Sequence, residues 1–331
     1  MKRVNNIAVL TLLVLAGCTG QVDPLPSWNE GKVKNQIIEY VENQAAAIPI
    51  EDRVAVFDMD GTIACEQPIW FEMTVAAEKA AELCRKNPQL AQEQPEYDFG
   101  RRLAENPADT SVLNNWASGP INYIDSLIVK PFVGCSYEEY VDFAKKTLES
   151  KEAPKYGMKW ADMFYQPMIE VIDYLKANQF QIYIVSGSMQ AIVWSVCPQA
   201  IGFDRSHLIG TRQVSSVRIS EEKGFESVIE QGKLKPINND YGKILNIYNR
   251  IGKVPVIAFG NSVGDFGMFR MVSASKYPHL VVMINHDDAE REYAYKPYYT
   301  KTGPAWEDSL AIHNWTRADM SKEFKKVWME K

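Results

Sequence analysis

An α/β fold, with a parallel sheet covered by helices on both faces and a second, mostly helical domain inserted into it, is predicted for this 331-residue chain by three observations. Four short apolar runs rich in β-branched residues each end in polar residues, as strands buried on both faces do where a ligand binds beyond their carboxyl ends. Helical stretches flank these runs. The first two runs are separated by far more chain than the dozen or so residues a right-handed crossover needs, and the excess has helical stretches with little strand signal.

Composition agrees with a folded chain, at 46% hydrophobic, 24% charged and 11% aromatic residues. Its length exceeds the roughly 250–300 residues at which a single core stops growing. Lys and Arg number 36 against 42 Asp and Glu, a net charge of −6. That balance argues against nucleic-acid binding, which draws on an excess of basic residues. No protein partner is evident, and any anionic substrate must be met by a local cation or a metal.

The chain opens with Lys2 and Arg3, an apolar run from Ile7 to Leu15, and Ala16-Gly17-Cys18. The run is about half the ~20 residues that span a bilayer, so a secretory signal at 1–17 is expected rather than a membrane helix. LAGC resembles the lipobox of bacterial lipoproteins, which implies acylation of Cys18, a lipid anchor to an envelope membrane and a periplasmic location. Thr19, not an acid, follows the cysteine and favours the outer membrane. Residues 18–49 then read as a tether and an amphipathic helix over Trp28 to Ala47, with Val33, Ile37, Ile38, Val41 and Ala45 at spacings near three and four.

The sheet domain is expected at 50–65 and 166–331, with the helical cap at 66–165. VAVF (54–57) runs into Asp58-Met59-Asp60-Gly61-Thr62, and helices are expected over Phe71 to Arg85 and Tyr137 to Leu148. IYIV (182–185) runs into Ser186-Gly187-Ser188. LIGTRQVSSVRI and the stretch before Lys235 suggest a hairpin ahead of Gly242-Lys243. VIAF (256–259) runs into Gly260-Asn261-Ser262, and LVVMI (280–284) into Asn285-His286-Asp287-Asp288. Cys65, Cys84, Cys135 and Cys197 could pair in three ways, but no C-x-x-C spacing or neighbouring His cluster marks a zinc site. Buried thiols are the simpler expectation.

DMDGT, SGS, Lys243 and GNSVGD, in this order at the ends of successive runs, resemble the haloacid dehalogenase superfamily, most closely its phosphoserine-phosphatase-like branch. FDMDGTIACEQP and HDDAEREYAY resemble a group of secreted bacterial phosphatases. The resemblance, from Val54 to Asp288, implies a Rossmann-like sheet and hydrolysis of a small phosphomonoester. It assigns Asp58 as the nucleophile. An ionised carboxylate needs no base to attack phosphorus, but its charge repels a phosphate dianion. A hard cation with oxygen ligands, Mg²⁺, would offset the repulsion; Asp58, the Asp60 carbonyl and Asp265 are the implied ligands. Lys243 would hold the phosphoryl oxygens, with Ser186 and the Gly187 N–H as donors. Asp60, two residues on and facing the same side of an extended chain, would protonate the leaving alkoxide. Where these phosphatases often carry Asp, this chain has Asn261, which keeps an oxygen for the metal or its water but loses a charge.

Plainer roles exist for each residue. The two acids and Ser186-Gly187 could be turn residues, Asp265 a helix cap, and Lys243 a solvated lysine with Lys233, Lys235 and Lys253 as rivals. Glu66 and Gln67 could touch substrate or only hinge the chain into the cap. His286, Asp287, Asp288 and Arg291 could form a surface salt-bridge cluster or contact substrate. Gly260-Asn261-Ser262-Val263-Gly264 also fits a serine-hydrolase elbow, with Asp287 and His313 following in the required order. A catalytically silent binding lipoprotein of the same fold is the third reading.

Overall fold

The computed structural model describes residues 22–108, 122–234, 237–296 and 306–329; the expected signal, Cys18, Thr19 and Lys235 lie outside them. The strands are β1 (Val54–Phe57), β2 (Gln181–Met189), β3 (Leu208–Thr211), β4 (Gln213–Ser220), β5 (Gly224–Leu234), β6 (Ile257–Gly260), β7 (Leu280–Asn285) and β8 (Thr316–Asp319). Six of them form one sheet in the order β3-β2-β1-β6-β7-β8, and every neighbouring pair is parallel. Each apolar run singled out in the sequence is one of these strands.

Every residue of β1, β6 and β7 is buried, as a doubly covered sheet requires. Alternation divides their side chains between two cores. Ala55, Phe57, Phe259 and Val282 join one, while Val56, Ala258, Val281 and Met283 join the other. Phe57 and Phe259 stack across the pair at 4.8 Å. β1 lies between β2 and β6, so the winding reverses beside it. Such a reversal opens a crevice beyond the strand ends.

Between Glu66 and Tyr165 lie helices Phe71–Lys86, Leu90–Glu93, Pro95–Glu105, Asn122–Val129 and Tyr137–Ser150. The last is started by a capping box, Ser136 with Glu139. β4 and β5 form the expected antiparallel hairpin. It joins the inserted helices through main-chain bonds from Gly134 to Ile229 and from Ile229 to Cys135, each 2.9 Å.

The structure corrects three expectations. Leu208–Thr211 is not part of the hairpin but pairs with β2 in the main sheet (Ile184↔Leu208, Val185↔Ile209), because β2 runs on to Met189 and offers an edge. β8 was not expected at all; of Thr316–Asp319 only Ala318 is buried, so it lacks an apolar run. The N-terminal helix starts at Lys32 rather than Trp28 and continues through a π turn (Tyr40–Gln44) to a 3₁₀ turn ending at Ala47. Trp28 is drawn off by a bridge to Phe324, and its indole N–H donates to the Pro167 carbonyl at 2.9 Å. The four described cysteines are free thiols, Cys65, Cys84 and Cys197 buried and Cys135 half-buried.

Candidate active site

Asp58 leaves the end of β1, and its N–H donates to the Phe259 carbonyl of β6 at 2.9 Å. Its carboxylate therefore stands at the reversal of the sheet. Lys243, on helix Tyr241–Ile251, reaches it with Nζ 2.5 Å from Oδ1 and also lies 2.6 Å from Oδ1 of Asp265. Lys243 is 1% exposed, so this is a buried triad of two carboxylates on one ammonium. Burial and the nearby Asp265 hold the Asp58 carboxyl well above the usual range, against the pull of Lys243. Burial draws the Lys243 ammonium down, but Asp265 and Asp58 outweigh it and hold it above its ordinary value.

Asp265 is itself fixed: its Oδ2 accepts from the main-chain N–H of Asn261 at 2.9 Å and of Ser262 at 3.0 Å. It closes a capping box with Ser262, so the capping role and a place in the site coexist.

Asp60 faces the same cavity. Its Oδ2 accepts from the hydroxyls of Ser186 (3.1 Å) and Ser188 (2.8 Å), while its buried Oδ1 has no partner among the described residues. Burial raises the Asp60 carboxyl and the two serine hydroxyls oppose it, with burial prevailing. Ser186 is fully buried and accepts from the Ser188 N–H at 3.0 Å, so its hydroxyl orients Asp60 instead of lining the cavity. Gly187 and Ser188 do line it. Ser188 went unmarked in the sequence, although residues two apart in an extended chain share a side.

Gly61 turns the chain after Asp60 at φ 74, and a Cβ there would lie 1.9 Å from Nδ2 of Asn261. Only glycine allows that approach. The Asn261 amide donates at 2.8 Å to Oε1 of Glu66, which lines the cavity; Gln67 is not among the lining residues. Burial raises the Glu66 carboxyl, opposed by His286. The cavity holds about 360 Å³ and is also lined by Trp70, Glu72 and Ile128 from the inserted segment, by Leu234 at the end of β5 and by Ile237 just beyond it. Sequence reasoning missed these contributors.

The family model for haloacid dehalogenase-like hydrolases matches residues 55–270. The chain belongs to this family. Among solved structures, this haloacid dehalogenase-like hydrolase is similar to a protein of unknown function from Anaerococcus prevotii, at TM-score 0.52 and 13% identity over 88% of this chain and 92% of that one. It is also similar to a protein of unknown function from Bordetella pertussis (TM-score 0.49, 14% identity, 81% and 98% coverage). A third is cytosolic 5′-nucleotidase IIIB bound to cytidine (TM-score 0.43, 14% identity, 78% and 80% coverage). The likeness to the Anaerococcus protein is one of fold. None of the curated proteins matches the chain.

The side chains present suit the Mg²⁺ that the resemblance implies. Asp58 and Asp265 offer hard oxygens close enough to share one cation, as Lys243 shows. Among the described residues no three His, Cys, Asp or Glu side chains gather for a metal. The expected set asks for only two such side chains, Asp58 and Asp265, with the Asp60 carbonyl as the third ligand.

The other readings find less support. Ser262 Oγ accepts from the Gly264 N–H and donates to Asp265, while Asp287 accepts from Ser321 and exposed His313 stacks on Trp315 at 4.7 Å. These three do not hydrogen-bond one another among the described residues. Of the rival lysines, Lys253 pairs with Asp52, and the side chain of Lys233 is outside the described part. Arg291 pairs with Asp288 at 2.5 Å and donates to the Phe324 carbonyl, which makes that pair a clamp on the C-terminal segment. His286 is buried and belongs to neither expected cluster.

Proposed function

We propose that this hydrolase is a Mg²⁺-dependent phosphatase of small phosphomonoesters, of the phosphoserine-phosphatase-like branch, working through an aspartyl phosphate on Asp58. The observation that carries the reading is the division of labour between two neighbouring carboxyls: Asp58 lies against Lys243, Asp60 against two serine hydroxyls.

A carboxylate oxygen of Asp58 attacks phosphorus, the ester P–O bond breaks, and the leaving alkoxide takes a proton from Asp60. Burial favours the protonated form that Asp60 needs for this step, and its unpartnered Oδ1 is the oxygen free to carry the proton. Asp60 then accepts a proton from the water that opens the aspartyl phosphate. Lys243 stands beside the transferring group to balance charge on its oxygens. Asp58 and Asp265 would hold Mg²⁺, which would supply the positive charge that offsets burial and the neighbouring acid, both of which favour a protonated nucleophile. Trp70, Glu72 and Ile128 of the inserted segment form part of the cavity wall, which supports a preference for small esters.

A panel of phosphomonoesters tests the reading, using soluble protein lacking residues 1–18 with Mg²⁺ or with chelator. Small esters should turn over only with the ion, and a folded phosphoprotein or DNA end should not; metal-free turnover would remove this mechanism. In the same panel, Asp60→Asn should slow alkyl esters roughly 10²–10⁴-fold, while formation of the aspartyl phosphate from activated aryl esters falls much less. Equal losses in that first step would end the acid assignment.

Acylation of Cys18 and an outer-membrane location remain our reading of the LAGC motif. No helix among the described residues is long and apolar enough to cross a membrane. Cys18→Ser should therefore move the protein from the membrane to the soluble fraction on cell lysis, and persistent membrane association would show a different anchor.

A further inference from the structure

Behind the catalytic loop lies a buried histidine–glutamate contact that the proposed chemistry does not use. His286, just past the end of β7, is 3% exposed, and Glu292 is fully buried. Nε2 of His286 lies 2.7 Å from the carbonyl oxygen of Gly61, and Nδ1 lies 3.2 Å from Oε2 of Glu292. A carbonyl only accepts, so Nε2 must carry a hydrogen. Among the described residues the remaining hydrogen-bonding neighbours of the Glu292 carboxylate are donors: the Tyr165 hydroxyl at 2.9 Å, the Cys65 thiol at 3.0 Å and the Tyr293 N–H at 2.5 Å. Three other donors fix this carboxylate as the anion, and an anion beside Nδ1 requires a hydrogen there too.

The other ionisable groups around the ring agree. Glu66 lies near enough to favour a positive charge on it, and the Tyr295 ring stacks on the imidazole at 4.3 Å. Burial works against the charge, but Glu292 and Glu66 outweigh it and hold His286 above its ordinary value; Glu292 is held below its own.

We propose that His286 is an imidazolium at neutral pH that acts as a positioning residue, pinning the Gly61 carbonyl and so fixing the turn that presents Asp58 and Asp60. It touches no reacting atom. Its effect runs through the Gly61–Thr62 peptide, one residue beyond Asp60, at a turn where any side chain on residue 61 would collide with Asn261. The kinetic part of this inference rests on the phosphatase reading, and the protonation state does not.

The test therefore has two arms. In the full chain carrying ¹⁵N-labelled histidine, both ring nitrogens of His286 should show attached protons at neutral pH, where an ordinary histidine is mostly uncharged. The signals are assigned by their loss in His286→Gln. A bare Nδ1 in the wild type would overturn the charge assignment, whatever the protein hydrolyses. In the second arm, His286→Gln and Glu292→Gln, each checked for a native circular-dichroism spectrum, should lower kcat on an aryl phosphate by up to roughly 10²-fold with KM little changed, the cost typical of a displaced reacting group. A folded variant with kcat within about twofold of wild type would overturn the positioning role, since such displacement ordinarily costs far more. Should both variants fail to fold, the wild-type nitrogen signals still decide the charge. KM and kcat of the milder His286→Asn then decide the positioning by the same criterion. Absence of any phosphatase activity in the wild type would instead count against the proposed function.

Discussion

Asp58→Asn should abolish turnover of an aryl phosphate, with a loss of at least about 10³-fold in kcat, while the protein keeps its circular-dichroism spectrum. Loss of a covalent nucleophile ordinarily costs this much or more. The fold should survive because the main-chain bond from residue 58 to Phe259 does not involve the side chain, and Lys243 keeps Asp265 as its partner at 2.6 Å. An amide is also a weaker metal ligand and a far weaker nucleophile, so the two losses coincide in one substitution. Wild-type turnover in a folded Asp58→Asn protein would eliminate the aspartyl phosphate. Loss of esterase activity in Ser262→Ala, with Asp58→Asn unaffected, would revive the serine-hydrolase reading.

The second large effect is on stability. Lys243→Met keeps much of the side-chain volume but strips the ammonium from two buried carboxylates. Removing one partner of a buried ion pair typically costs about 3–5 kcal/mol, mostly from the charge left behind. The urea midpoint should fall accordingly, and kcat with it. Adding Asp58→Asn to Lys243→Met should return part of the lost stability, because one of the stranded charges goes. Residues in one network do not add, so the double variant should lie above the sum of the two single effects. A Lys243→Met midpoint equal to wild type would mean that the triad does not hold together in solution.

The sequence revealed the parts of this site that end buried strands. Asp58, Asn261 and Asp265 follow runs whose apolar character is dictated by helices on both faces, so their placement follows from the pattern. Lys243 stood out only by its place in the series, since nothing in its own neighbourhood distinguishes it from Lys253. Glu72 and Trp70 were beyond reach because which face of the Phe71–Lys86 helix meets the cavity depends on how the inserted segment packs. His286 and Glu292 looked like part of a hydrophilic stretch; Tyr165, from the far side of the insertion, helps bury them. Thr316–Asp319 has too little apolar content to read as a strand and becomes one by adding to the exposed edge of β7.

The central position of β1 also bears on how the chain acquires its shape. Its registers, Val54 with Gln181 and Ala55 with Ile257, draw on segments far downstream, so neither neighbour is available when β1 is made. Pairings this distant must close long loops before they return any favourable energy, which makes assembly slow. A ribosome has to deliver the chain past Phe259 before the strand carrying Asp58 can be enclosed on both sides. Until then the first carboxylates of the site, though already made, have no enclosed strand to stand on.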